Sequence, residues 1–161
     1  MRLLQGFPVV TVTGPRQSGK TTLVRALLPG RPSVSLESPA QREFARQRPA
    51  EFLQQFPQGA GIDEAQHAPE LFSEMQGVVD AAGHMGMFVL TGSQNLALLS
   101  RQAFCQTPQS LAGRTALVEL LPLSIAELRA AGRLDATYAG HLLKGFFPAI
   151  YARDLEPHEW S

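Results

Sequence analysis

The run Gly14-Pro15-Arg16-Gln17-Ser18-Gly19-Lys20-Thr21 constrains this chain more than any other feature. It satisfies G-x-x-x-x-G-K-[ST] at every fixed position. Such a run works only where a strand ends and a helix begins. Its backbone N–H groups must converge on an anion that the helix N-terminus also faces. Both neighbours are legible. Val9-Val10-Thr11-Val12-Thr13 is dense in β-branched residues and predicts a strand. Residues 19–28 predict a helix with Leu23, Leu27 and Leu28 along one side, stopped by Pro29-Gly30. The chemistry is that of a phosphate cradle. The glycines take backbone angles that a side chain forbids. Lys20 reaches β- and γ-phosphates, and the Thr21 hydroxyl serves Mg2+. Of fourteen basic residues only Lys20 and Lys144 are lysines, so the lysine at position 20 stands against a strong arginine bias.

The rest of the chain alternates in the same way. Residues 33–36 predict a short strand. Helices follow over 39–48 and 49–56, each opened by a proline at a position where its missing N–H costs nothing. Another helix is expected over 69–82. Met87-Phe88-Val89-Leu90-Thr91, closed by Gly92, predicts a fully buried strand. A loop-rich stretch over 100–110 precedes a strand over 115–121. A helix over 124–131 then opens with the capping box Ser124-x-x-Glu127. Strands alternating with helices predict an α/β domain around a mainly parallel sheet flanked by helices.

A phosphate cradle that uses Mg2+ calls for an acidic partner, because the ion prefers an octahedral oxygen shell. Ile62-Asp63-Glu64 is the best candidate. Asp63, leaving a strand beside the cradle strand, can reach the water shell of the metal. Glu64 can polarise the attacking water. The plainer alternative is a solvated acidic pair at a helix start. Gly59-Ala60-Gly61-Ile62 is poor in β propensity for a buried strand. Ser93, just past the apolar strand ending at Thr91, is the preferred γ-phosphate contact, with a helix cap as the alternative. Arg114 is read as serving a phosphate or an adjacent subunit, or as an ordinary surface arginine.

Taken in order, the cradle through Thr22, Ile62-Asp63-Glu64-Ala65-Gln66, Leu90-Thr91-Gly92-Ser93-Gln94, Ser110-Leu111-Ala112-Gly113-Arg114 and Leu121-Pro122-Leu123-Ser124 resemble the prokaryotic AAA-type ATPases of the AAA_14 group. The motifs cover almost all of residues 7–128. The resemblance implies a P-loop NTPase sheet of order 5-1-4-3-2, and ATP with Mg2+ as the ligands. It implies that Gly14, Pro15, Arg16, Gln17, Ser18, Gly19, Lys20, Thr21 and Thr22 hold the nucleotide, with Lys20 and Thr21 as Walker A residues. Asp63 and Glu64 become Walker B, Ser93 falls near the sensor-1 position, and Arg114 is a candidate arginine finger. Members of this group usually carry a C-terminal domain of unknown function, DUF4143. Gly145-Phe146-Phe147-Pro148-Ala149-Ile150-Tyr151 resembles the segment that follows their ATPase core. The expected organisation is therefore a core over 1–131 and the start of a linker over 132–161, with the chain truncated before that domain.

Composition narrows the function classes. The chain has 161 residues, the length of one ordinary domain, and fourteen acidic groups cancel fourteen basic ones. Zero net charge argues against a general nucleic-acid or membrane-surface binder. No residue pattern identifies a nucleic-acid or protein partner. Cys105 is alone, and His67, His84, His141 and His158 show no paired metal spacing, which leaves no disulfide framework or zinc cluster to expect. No apolar run is long enough for a membrane span, and a cytoplasmic location is expected. Three functions follow. The first is an ATPase that couples turnover to a conformational change. The second is a regulatory nucleotide-binding module with negligible hydrolysis. The third is a small-molecule kinase, for which Arg42, Arg46 and Arg48 would be a poor lid. Leu142, Leu143, Phe146, Phe147, Pro148, Ile150 and Tyr151 form an apolar cluster near the end of the chain. This cluster either folds back or stays exposed and drives self-association.

Overall fold

β1 (Val9–Thr13) is buried along its whole length, so it needs a strand on each side and a helix layer above and below. A computed structural model, which describes residues 2–93, 113–134 and 137–153, supplies both. The other strands are β2 (Ser33–Ser35), β3 (Ala60–Asp63), β4 (Phe88–Thr91) and β5 (Thr115–Glu119). They lie in the order β2-β3-β4-β1-β5, and every neighbouring pair is parallel. Read from the other edge, this is the expected order 5-1-4-3-2. The fold is that of a P-loop NTPase. In register, Val9 stands beside Phe88 on one side and Thr115 on the other. The C-terminal ends of β1, β3 and β4 therefore share one end of the sheet, where ligands bind in folds of this kind.

Two units make up the chain. Met1–Gly14 and Lys20–Glu119 form the first. There α3 (Pro39–Gln47), α4 (Pro49–Gln54) and α5 (Leu71–Ala82) cover one face of the sheet. Leu36, Phe52, Leu53, Leu71, Met75 and Phe88 form the centre of its core with Ala60 and Ile62. Phe52 meets both Phe44 and Phe56 edge-on, with centroids 5.8 and 5.5 Å away. Successive residues of a strand face opposite sides. Ala60 and Ile62 therefore turn to this core, while Gly61 and Asp63 turn to the face carried by α2 (Lys20–Leu27).

The glycine-rich third strand does form. At Gly59, φ is +85°, and a Cβ would lie 1.8 Å from the Met87 carbonyl oxygen. No side chain fits there. The low β propensity is thus the cost of a close backbone crossing, and the strand begins one residue later.

The second unit gathers Pro15–Gly19 with Leu120–Ser161. Its described helices are α6 (Ile125–Ala130), α7 (Tyr138–Lys144) and α8 (Pro148–Arg153). Both halves of the expected capping box at Ser124 and Glu127 are present. Leu128, Ile150 and Tyr151 are buried, and Leu123, Phe146 and Phe147 pack around them. The Tyr151 hydroxyl donates to the Gly145 carbonyl at 2.8 Å. The apolar cluster at the end of the chain thus divides. Its aromatic part folds inward, whereas Leu142 and Leu143 are 64% and 73% exposed.

Helices α7 and α8 were not among the sequence expectations, and neither was α1 (Arg2–Gly6), a single short turn ahead of Pro8. The expected strand over 115–121 ends at Glu119, and the expected helix over 69–82 begins at Leu71. The expected loop over 100–110 lies outside the described residues, as do Gln94, Ser110, Leu111 and Ala112. Among the described residues no helix is long and apolar enough to cross a membrane.

Candidate functional site

The cradle residues run from the buried end of β1 into α2. Gly14 and Gly19 take φ of 145° and 91°, and Gln17 is left-handed at 64°. An anion nest is built from left-handed turns of this kind. Ser18 is buried, and its Oγ has no partner among the described residues. Arg16, Gln17 and Thr22 are exposed, and Pro15 is half-buried. Lys20 opens α2 and is 6% exposed. Its Nζ donates to the Gly14 carbonyl at 3.0 Å, so the ammonium is held against the loop's own backbone.

β3 delivers Asp63 to the same end of the sheet. The Thr21 hydroxyl donates to Asp63 Oδ2 at 2.9 Å. The Thr91 hydroxyl, at the last position of β4, donates to Asp63 Oδ1. One carboxylate is therefore clamped from two elements, the cradle helix and the neighbouring strand. Thr21 and Asp63 together offer hard oxygen donors in contact, the donor type that Mg2+ selects. The residues fit that ion.

Glu64 follows in the left-handed region, at φ 56° and ψ 43°. Such a conformation costs a non-glycine residue on the order of 1–3 kcal/mol and persists only where surrounding structure enforces it. It turns the chain sharply out of β3 into a 3-10 turn over Ala65–His67. The Gln66 side-chain amide donates to Glu64 Oε2. Ser93 lies two residues past β4 and is half-buried.

Arg114 is elsewhere. It immediately precedes β5, and its carbonyl accepts from the N–H of Val9 at the start of β1. In a parallel sheet that is the end opposite the cradle, one strand length or about 17 Å away. The guanidinium pairs there with Asp80 of α5. The structure thus brings together Lys20, Thr21, Asp63 and Glu64, and it does not bring Arg114 to them.

Thr91 and Gln66 belong to the site and were not singled out from sequence. A lone hydroxyl at the end of an otherwise apolar buried strand was the available signal for Thr91.

Comparison with known proteins bears on the family and the fold. The model of the AAA_14 family, described as an AAA domain, matches residues 6–129. The chain belongs to that family. As an AAA-type P-loop ATPase domain, it is of a kind that generally binds ATP with Mg2+. It is 35% identical over 160 residues to two uncharacterised proteins, Rv2008c of Mycobacterium tuberculosis and Mb2031c of Mycobacterium bovis. The match takes in 96% of this AAA domain chain and 33% of each relative. The chain therefore spans about a third of the length of the curated relatives it matches. Among solved structures it is similar to the Walker-type ATPase PABY2304 of Pyrococcus abyssi. The TM-score is 0.61 at 18% identity, covering 98% of this chain and 66% of that one. At that identity the likeness speaks for the fold.

Proposed function

We propose that the chain binds Mg-ATP along Gly14–Thr22 and hydrolyses it, and that turnover drives a conformational change. The observation that carries this reading is the double clamp on Asp63 by Thr21 and Thr91, with Glu64 next in the chain. Lys20 leaves the Gly14 carbonyl for the β- and γ-phosphates, exchanging a neutral acceptor for charged ones. Thr21 and Asp63 would hold the metal. Bound there, Mg2+ neutralises phosphate charge. Glu64 accepts a proton from a water whose oxygen bonds to the γ-phosphorus as the bond to ADP breaks. Ser93 contacts the γ-phosphate. Arg114 acts only on the nucleotide of a second copy, because its own lies at the other end of the sheet. ATP is the small-molecule partner, and self-association supplies the second copy.

A second reading, a nucleotide-binding regulatory module with negligible turnover, is favoured by the Gln66 amide on Glu64 Oε2. That bond occupies one of the two oxygens a base would use.

Calorimetry with Mg-ATP and a phosphate-release assay test both readings. Lys20→Ala is expected to abolish binding. Glu64→Gln is expected to leave ATP bound and slow turnover by roughly 10² or more, the range for losing a general base. Parental affinity in Lys20→Ala would overturn the cradle assignment. Binding without turnover in both the parent and Glu64→Gln would establish the regulatory module instead.

A further inference from the structure

The strand that carries Asp63 has a second glycine, and its place in the sheet is unlike that of the first. Gly61 lies inside β3, bonded in register between Ser33 of β2 and Val89 of β4. Gly61 and Asp63 face the same side of the strand, two residues apart. Facing them on α2 are Val24 and Thr21, three residues apart and so one helical turn from each other. The two contacts run in parallel. Thr21 Oγ1 meets Asp63 Oδ2 at 2.9 Å, and one turn along the helix Val24 covers Gly61. A Cβ on residue 61 would lie 2.8 Å from Val24 Cγ1 and 3.9 Å from Leu28 Cδ1.

We propose that Gly61 is a positioning residue: its missing side chain sets how deeply α2 lies on β3, and so brings Thr21 within hydrogen-bond reach of Asp63. The inference rests on the Mg-ATP reading above and identifies what makes the metal half of that site fit.

The strand cannot yield to a larger residue. β2 and β4 hold β3 on both edges, and Ala60 and Ile62 are fully buried in the core on its other face. Val24 cannot yield cheaply, because a β-branched side chain in a helix has one strongly preferred rotamer. The helix must move. Restoring an ordinary contact of about 3.4–4 Å requires a displacement of roughly 1 Å. A shift of that size one turn from Thr21 takes its hydroxyl to the edge of hydrogen-bonding distance from Asp63. Lys20 and the cradle backbone bind phosphate without Asp63, so the damage falls on the metal-dependent share of nucleotide affinity.

The test is the ratio of ATP affinities measured by calorimetry with Mg2+ and with a chelator. It is made on the parent, Gly61→Ala, Val24→Ala and the double variant. Gly61→Ala is expected to lose tenfold or more of the gain that Mg2+ gives the parent. A loss of that size is in reach because misplacements near 1 Å can cost up to 10², whereas affinity in chelator, which does not involve Asp63, should stay within about threefold. Val24→Ala keeps the parental gain. In the double variant the clashing methyl is gone, and the gain returns. Gly61→Ala with the full gain, or a double variant that does not recover it, overturns the proposal. If Gly61→Ala does not fold, the double variant decides. Folding with the parental gain supports the proposal, and failure to fold overturns it. A parent that binds no Mg-ATP overturns the function proposed above and this inference together. A parent that binds with a Mg2+ gain that Gly61→Ala retains overturns this inference alone.

Discussion

Thr91→Val replaces a hydroxyl with a methyl on a side chain of nearly the same shape, at a position 1% exposed. β-branching is kept, so strand preference does not change. What is lost is the donor to Asp63 Oδ1. A hydrogen bond to a charged group contributes about 1.5–3 kcal/mol, and a methyl cannot replace the donor that the half-buried carboxylate loses. A loss of about 2 kcal/mol corresponds to a Tm roughly 4–8 °C lower for a chain of this length. Thr11→Val is the matched control in the same sheet. Thr11 is fully buried on β1, and its Oγ1 has no partner among the described residues. Removing an unsatisfied hydroxyl relieves a desolvation cost, so this variant should be neutral or about 1 kcal/mol more stable. Thermal and urea unfolding of both variants, in chelator and without nucleotide, excludes stabilisation by bound ligand. Equal shifts in the two variants, or an unchanged Tm for Thr91→Val, would refute the account of how Asp63 is held.

Acid titration addresses the second unit. The carboxyl of Glu127 is held below its usual value of 4.5 by hydrogen bonds from the Ser124 backbone and side chain. A depressed folded-state pKa means that this stabilisation is present above about pH 4.5 and lost as pH falls through the lower, folded-state value. NMR titration should place the Glu127 midpoint below that of an unstructured glutamate, and Ser124→Ala, which removes the side-chain bond but keeps the backbone N–H, should raise it only part of the way. Leu142 and Leu143, exposed on α7 in a chain of zero net charge, are expected to promote association near neutral pH. Sedimentation should show a concentration-dependent mass that falls in Leu142→Ser/Leu143→Ser; a parent that stays monomeric at high concentration would contradict this.

What could be seen in the sequence follows from the range of the interactions involved. The cradle was legible because its chemistry needs eight contiguous residues, and contiguity is what a sequence displays. β1 and β4 were legible because burial on both faces leaves an unbroken apolar or β-branched run. Asp63 could be located as a carboxylate, but its strand looked weak. The reasons for Gly59 and Gly61 are Met87 and Val24, residues far away in the chain. Thr91 escaped notice because a threonine at a strand end serves β propensity equally well, and only the neighbouring strand gives its hydroxyl a partner. Arg114 was recognised as a candidate, but which end of the sheet it occupies depends on β5 running parallel to β1. Helices α7 and α8 are seven and six residues long, too short for periodicity to mark them, and α8 packs its Ile150 and Tyr151 with Leu128.

The position of β1 at the inside of a parallel sheet also has a consequence for the nascent chain. Of the five described strands β1 is synthesised first, yet its two neighbours begin only at Phe88 and Thr115. At ribosomal speeds of about 5–20 residues per second, its first partner emerges roughly 4–16 s later. Throughout that interval Val9, Val10 and Val12, all buried in the finished sheet, have no strand beside them, and both edges of β1 are open to other chains. Of these five strands the earliest is thus completed last, and the cradle that follows it gains a rigid base only once β5 has been made.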